Sequence, residues 1–118
     1  MNNVTTNQEN IDLQDAIAAA QQQLQSGKLN QSAASAQQII NEIPDNIDAL
    51  YILCVSQRYL KQHTEALKTI EKLISIYPTY GRAYQEKGHN LKLTNQAFKA
   101  LEAFGHAVDY NPALPASW

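Results

Sequence analysis

The stretch Ile76-Tyr77-Pro78-Thr79-Tyr80 decides the fold, because its proline is the middle one of three at equal spacing. Pro44 and Pro112 lie equally far from Pro78 along the chain, one before it and one after it. Proline cannot continue an α-helix, since it lacks the amide hydrogen and its ring collides with the preceding turn. The equal spacing therefore predicts that one helical unit ends and another begins at each of these prolines.

Between these prolines the apolar residues recur at the 3.6-residue period of an α-helix, and no segment shows the alternation of a strand. Six helices are predicted, with short connections that force neighbouring helices to lie antiparallel. They cover about 11–26, 30–42, 46–60, 64–76, 79–93 and 96–110. Asp45 and Thr79 are expected to cap the third and fifth helices. Gly27 and Asn95 are expected to supply left-handed residues in the turns.

Shifting the sequence by the interval between successive prolines aligns similar side chains in three units, 13–46, 47–80 and 81–114. The aligned sets are Ala16/Leu50/Tyr84/Trp118, Ala20/Cys54/Gly88, Gly27/Lys61/Asn95, Ser32/Ala66/Ala100, Ala36/Ile70/Phe104 and Ile39/Leu73/Ala107. A helix–turn–helix unit of about 34 residues with this pattern resembles the tetratricopeptide repeat. The resemblance implies an all-α fold, a right-handed superhelix of stacked helical hairpins over residues 11–112.

Each aligned position has a physical reason in such a stack. The small residues Cys54 and Gly88 are expected where the two helices of a hairpin cross closely. The bulky residues Tyr84 and Phe104 are expected to fill the gap between neighbouring hairpins. One hairpin cannot bury its apolar face alone, so the core arises from stacking.

The two ends of the chain differ from the repeat region. Residues 1–10 are polar and are predicted to be a disordered tail. Residues 113–118 are predicted to begin a fourth repeat, because Trp118 aligns with Leu50 and Tyr84. The alternative is a capping helix whose tryptophan packs on the third unit.

A more specific resemblance covers most of residues 45–118. The segments 48–61, 80–89 and 111–118 are similar to the N-terminal repeats of bacterial tetratricopeptide-repeat sulfotransferases. That resemblance implies a parent enzyme using 3′-phosphoadenosine 5′-phosphosulfate, in which this chain would be a non-catalytic docking region. No residue of this chain matches the transfer chemistry of that family.

Composition excludes several other classes. The net charge is −2 and the basic residues are scattered, which argues against nucleic acid as a partner. No segment is apolar over the roughly 18 residues that a membrane span requires, so we expect a cytoplasmic protein. Cys54 is the single cysteine, and His63, His89 and His106 lie far apart in the sequence. With no glycine-rich phosphate loop either, we expect no catalytic residue, metal or cofactor in this chain.

The repeat directs attention to its concave groove, which the first helix of each unit should line. Aromatic residues and arginine concentrate binding energy at interfaces, so we predict a protein or peptide ligand there. The predicted partner-binding residues are Tyr51, Val55, Arg58, Tyr59, Arg82, Gln85, His89 and Lys92. The alternatives are that these side chains only cover the groove, or that the exposed face of the last repeat forms a weak homodimer.

One type of groove chemistry in this repeat family fits poorly. Some members hold a peptide C-terminal carboxylate with lysine, asparagine and arginine side chains at five positions. Here those positions hold Ile17, Gln21, Ile52, Arg82 and Glu86. Only Arg82 has the required chemistry, so a carboxylate clamp is not expected.

Overall fold

Six α-helices form three antiparallel hairpins in the computed structural model, which describes the backbone of residues 3–114 and the side chains of residues 12–114. The helices are α1 (Asn3–Gln25), α2 (Leu29–Glu42), α3 (Ile47–Tyr59), α4 (His63–Ile76), α5 (Gly81–Leu93) and α6 (Ala97–Tyr110). Residues 3–114 contain no strand, so the predicted all-α stack of hairpins is confirmed. The predicted fourth repeat or capping helix falls mainly on residues 115–118, including Trp118, which lie outside the described residues.

Helix α1 starts much earlier than the sequence predicts. It begins at Asn3, whereas the expected start is near Ile11, so most of the expected disordered tail is helical. The physical reason is that extending an existing helix adds one hydrogen bond for each residue fixed, which is far easier than starting a new one. The polar segment contains neither glycine nor proline to stop that extension.

The three proline corners have the same hydrogen bonds, and each proline follows a helix end as predicted. In each corner the amide three positions on donates to the carbonyl of the residue before the proline, as in a β-turn with proline second. Proline also pushes the preceding residue out of the helical region, which ends the helix. The bonds run from Asn46 N to Ile43 O (3.1 Å), Tyr80 N to Tyr77 O (3.1 Å) and Leu114 N to Asn111 O (3.0 Å).

The turns inside the hairpins recur at the same interval as the prolines. Gly27, Lys61 and Asn95 have φ values of 76°, 64° and 63°. In each turn the left-handed residue donates to the carbonyl three back and the next residue to the carbonyl five back, which is the Schellman arrangement. The left-handed conformations predicted for Gly27 and Asn95 are confirmed. Lys61 adopts the same one because its position in the repeat imposes it.

The helix caps differ from the prediction. Asn46, and not Asp45, caps α3, because its side chain accepts a hydrogen bond of 2.9 Å from Ala49 N. Tyr80, and not Thr79, precedes α5, and it makes no side-chain capping bond. The proline turn occupies one more residue than expected at both corners, which moves each helix start forward.

The two helices of the third hairpin cross at Gly88. A Cβ atom there would collide with Cε1 and Cδ1 of Phe104 and would lie 2.8 Å from its Cζ. Phe104 fills the hollow that Gly88 leaves within its own hairpin, and the cluster that contains Phe104 also packs against Leu67 of the preceding hairpin. Cys54 occupies the same repeat position as Gly88 and is fully buried, as predicted.

A buried polar pair joins the first two hairpins. The hydroxyl oxygens of Ser32 and Ser56 are 2.7 Å apart, and neither residue is exposed. Each hydroxyl also lies within hydrogen-bond distance of a backbone carbonyl in its own helix, that of Leu29 (2.9 Å) or Ile52 (2.8 Å). Buried hydroxyl groups need such partners, and here the pair fixes α2 against α3.

Candidate functional site

The first helices of the hairpins line the inner side of the stack. Helix α3 contacts both α1 and α5, whereas the backbones of α2, α4 and α6 do not approach one another closely within residues 3–114. A stack bends toward the side on which its helices lie closest together. The concave face is therefore formed by α1, α3 and α5, which is the surface that repeat proteins of this kind use for binding.

An ion pair ties α3 to α5 on this concave face. Arg58 Nε donates to Glu86 Oε1 at 2.7 Å, and Arg58 Nη2 donates to Glu86 Oε2 at 3.1 Å. Glu86 is only 3% exposed. Burial acts to lower the pKa of Arg58, but the hydrogen bonds and charge of Glu86 outweigh it and the pKa is raised. The guanidinium also lies 4.5 Å from the centre of the Tyr59 ring, within cation–π distance.

This pair changes the role predicted for Arg58. Its charge is neutralised within the protein, so Arg58 holds two hairpins together and contributes little charge toward a ligand. Glu86, the residue that neutralises it, was absent from the predicted site. A signal was available in the repeat, because Leu24 and Ile52 occupy the equivalent positions one unit earlier. Opposite charges that replace two apolar residues in facing helices indicate a pair.

Two tyrosines form an aromatic wall beside the pair. The rings of Tyr51 and Tyr80 meet edge to face with centroids 6.0 Å apart. Burial, followed by the neighbouring Tyr51, raises the pKa of Tyr80 to about 12. Burial and the charge of Glu86 raise the pKa of Tyr51, and the exposed Arg82 beside its hydroxyl partly opposes this. Tyr51 and Tyr80 therefore form an aromatic surface with the guanidinium of Arg82 at its edge.

His89 lies on α5, the helix that the third repeat unit contributes to the concave face. It is half-buried, and its ring meets the Phe104 ring edge to face at 5.3 Å. Burial and the charge of Arg58 lower the pKa of His89, which favours the neutral imidazole. A neutral imidazole can donate and accept hydrogen bonds, which suits a polar ligand group.

The other predicted residues divide by exposure. Val55 is 6% exposed and lies in a core cluster with Cys54 and Ile70, so it offers almost no binding surface. Tyr59 is 55% exposed at the end of α3. Lys92 is exposed and Gln85 is half-buried on α5. The accessible candidates are therefore Tyr51, Tyr59, Arg82, Gln85, His89 and Lys92.

Other chemistry has little support among the described residues. No group of three His, Cys, Asp or Glu side chains in that part of the chain could hold a metal ion. Burial, and then the charge of Glu86, raises the pKa of the Cys54 thiol well above its usual value. Such a thiol is a poor nucleophile. No helix in the described region is long and apolar enough to cross a membrane.

The helix order, the repeated corners and the concave face are those of tetratricopeptide-repeat proteins, and solved structures share this fold. TTC0263, a thermophilic repeat protein from Thermus thermophilus, matches with a TM-score of 0.78 and 22% identity over 86% of this chain and 58% of its own. MamA from Desulfovibrio magneticus RS-1 matches with a TM-score of 0.76 and 23% identity over 88% of this chain and 59% of its own.

A third structure of this fold contains a ligand. The first repeat domain of Spaghetti (RPAP3), bound to the HSP90 peptide SRMEEVD, matches with a TM-score of 0.80 and 13% identity. The match covers 86% of this chain and 81% of that domain. At this level of identity the likeness establishes the fold, and the peptide belongs to that protein.

The match spans only part of several of these structures, with 57% of a MamA variant from RS-1 and 19% of an O-GlcNAc transferase from Thermobaculum terrenum covered. No family model matches the sequence, and no curated protein does. The hypothesis of a sulfotransferase docking region gains no support from these comparisons.

Proposed function

We propose that this chain is a protein-interaction scaffold that binds a peptide segment along its concave face. One observation carries the proposal. Tyr51 and Tyr59 of α3 and Arg82 and Lys92 of α5 remain accessible, while Arg58 and Glu86 neutralise each other in an ion pair between these two helices. Aromatic and arginine side chains on a rigid support are the residues that dominate binding energy at interfaces.

The rigidity of the support has a structural basis. The same corner bonds and turn bonds recur in all three units, and the buried Arg58–Glu86 pair locks the second unit to the third. A preorganised face loses little conformational entropy when a ligand binds, so more of the contact energy appears as affinity.

The chemistry of the face suggests the kind of ligand. Ile17, Ile52 and Glu86 are buried at three of the five carboxylate-clamp positions, so a terminal carboxylate would find few partners there. Arg82 places exposed positive charge beside the hydroxyl of Tyr51, and Lys92 adds a second exposed charge at the other end of α5. A segment with an internal acidic residue next to an apolar or aromatic one fits this arrangement. We also propose that this scaffold is cytoplasmic.

The test uses peptides selected from a random library on the immobilised chain. Selected peptides should bind the Tyr51→Ala/Arg82→Ala variant at least about tenfold more weakly than the wild type. The matched control, Glu65→Ala/Lys68→Ala, removes two exposed residues of α4 on the opposite side and should leave affinity unchanged. Equal loss in both variants, or no loss in the first, would exclude the concave face as the binding surface.

A further inference from the structure

The positive charge that α3 and α5 offer to a ligand lies at the two ends of the concave face. Arg82 and Lys92 are both exposed on α5, near its opposite ends. The rise of an α-helix places them about 15 Å apart along its axis. Within the described part of the chain neither forms an ion pair. A ligand on this face therefore meets two separate cations.

The middle of the face is neutral because of Glu86. Its carboxylate accepts hydrogen bonds from Nε and Nη2 of Arg58 at 2.7 Å and 3.1 Å, and only 3% of Glu86 is exposed. His89 lies within electrostatic reach of this pair, and its lowered pKa favours the neutral imidazole. An acidic ligand residue placed here would be repelled by the carboxylate of Glu86, while the charge of Arg58 is already engaged.

The Arg82 end of the face is suited to a carboxylate. The guanidinium lies beside the hydroxyl of Tyr51, so both groups are available as donors to the same acidic residue. Hydrogen bonds from a charged donor to a carboxylate are stronger than those between neutral groups. Asp48 occupies the same repeat position on α3 as Arg82 does on α5. Its charge keeps an acidic ligand residue on the α5 side of the face.

The α1 side of the face suits the backbone of an extended peptide. Gln14, Gln21 and Gln25 are exposed on α1, and the last two share repeat positions with Val55 and Tyr59 of α3. A glutamine side chain both donates and accepts hydrogen bonds. An extended segment needs such partners for its N–H and C=O groups, whereas a helix bonds most of them internally. The occupant that fits this wall is therefore an extended segment.

We propose that the concave face selects an extended segment with two acidic residues about four or five positions apart and neutral residues between them. This inference rests on the proposed function and specifies its ligand. An extended chain advances about 3.3 Å per residue, so this spacing spans the distance from Arg82 to Lys92. The neutral residues cross the Arg58–Glu86 pair. Glu86 thus determines specificity from a buried position, by removing a cation from the middle of the face.

The test begins with a random linear peptide library on the immobilised wild-type chain, followed by sequencing of the peptides retained. We expect pairs of aspartate or glutamate four or five positions apart to be enriched over other spacings, with acidic residues depleted between them. Selection on Arg82→Gln/Lys92→Gln should remove this enrichment. The matched control is Lys72→Gln, an exposed lysine of α4, which should keep it.

Fluorescence anisotropy titrations of a labelled selected peptide then measure each contact. Arg82→Gln should weaken binding about tenfold, because it removes charge-assisted hydrogen bonds. Lys92→Gln should weaken it about threefold, as expected for an exposed ion pair.

Moving one acidic residue of the peptide to the middle tests Glu86. This peptide should bind the wild type about tenfold more weakly than the selected one. Glu86→Gln keeps an acceptor for Arg58 but removes the charge, so it should restore most of that loss. Far-UV circular dichroism should show each variant folded, and the two exposed cations test the spacing without relying on Glu86→Gln.

The outcomes distinguish this inference from the proposed function. If selected peptides lose affinity for Tyr51→Ala/Arg82→Ala but contain no acidic pair at this spacing, the face binds peptides and the inference is wrong. Enrichment at about ten positions would indicate a helical ligand and would also overturn it. If no retained peptide depends on the concave face, the inference and the proposed function are both wrong.

Discussion

At the scale of single residues, two glycines in the third hairpin have opposite roles. Gly88 is required because the Phe104 ring occupies the space of a Cβ atom, whereas Gly105 faces open space in the middle of α6. The first glycine permits a close crossing of helices. The second weakens a helix although no described residue occupies the space beside it.

Alanine substitutions at these two positions should change stability in opposite directions. Gly88→Ala should lower the free energy of unfolding by about 1–3 kcal/mol, because the methyl group displaces a buried ring. Gly105→Ala should raise it by about 0.5–1 kcal/mol, because alanine favours the helix. Urea denaturation followed by circular dichroism measures both. A change of the same sign in both variants would contradict this view of the crossing.

Lys61 offers a second prediction at this scale. Its φ of 64° is unfavourable for any residue with a Cβ atom, so Lys61→Gly should raise the free energy of unfolding by about 0.5–1 kcal/mol. The matched control is Lys72→Gly, an exposed lysine inside α4, which should lower it by about 1 kcal/mol. The prediction of a strained turn at Lys61 would be contradicted if neither substitution raised the free energy of unfolding, or if both did.

At the scale of elements, the contact between α3 and α5 contains a buried ion pair. Glu86 is nearly inaccessible and Arg58 is mostly covered, so removing either partner alone leaves a charge with little solvation. One unit earlier the equivalent residues are Leu24 and Ile52, and Leu24 packs against the cluster that contains Ile52. The equivalent contact is therefore apolar between α1 and α3 and charged between α3 and α5.

A double substitution tests this equivalence. Glu86→Ile alone should lower the free energy of unfolding by about 2–4 kcal/mol, because Arg58 loses its partner in a partly buried site. Arg58→Leu/Glu86→Ile should return it to within about 1 kcal/mol of the wild type, since apolar residues can replace a buried pair. Equal instability of the single and double variants in urea denaturation would show that the two contacts are not interchangeable.

The aromatic wall predicts a pH dependence. The pKa of Tyr80 is about 12 in the folded chain, above the ordinary value of 10.0. The resulting stabilisation is complete below pH 10.0 and is lost as the pH rises through about 12. Absorbance of tyrosinate should show a titration step near pH 12 that Tyr80→Phe removes. If the titration step near pH 12 persists in Tyr80→Phe, the raised pKa belongs to another tyrosine.

At the scale of the whole molecule, the sequence predicts what is local and repeated. Pro44, Pro78 and Pro112 predict the corners because a proline acts on the residue next to it in the chain. The Arg58–Glu86 pair was missed because its two residues lie in different hairpins. Their contact depends on how α3 and α5 pack side by side, which the spacing of residues along one helix does not show. Val55 was placed in the groove although it is buried, because helical spacing alone does not show how far a neighbouring hairpin covers a side chain.

The most direct test of peptide binding is amide chemical-shift mapping of the labelled chain with a library-selected peptide. We expect the largest shifts at Tyr51, Tyr59, Arg82, His89 and Lys92, and little change along α2, α4 and α6. Shifts concentrated on α4 and α6, with α3 and α5 unaffected, would contradict binding on the concave face.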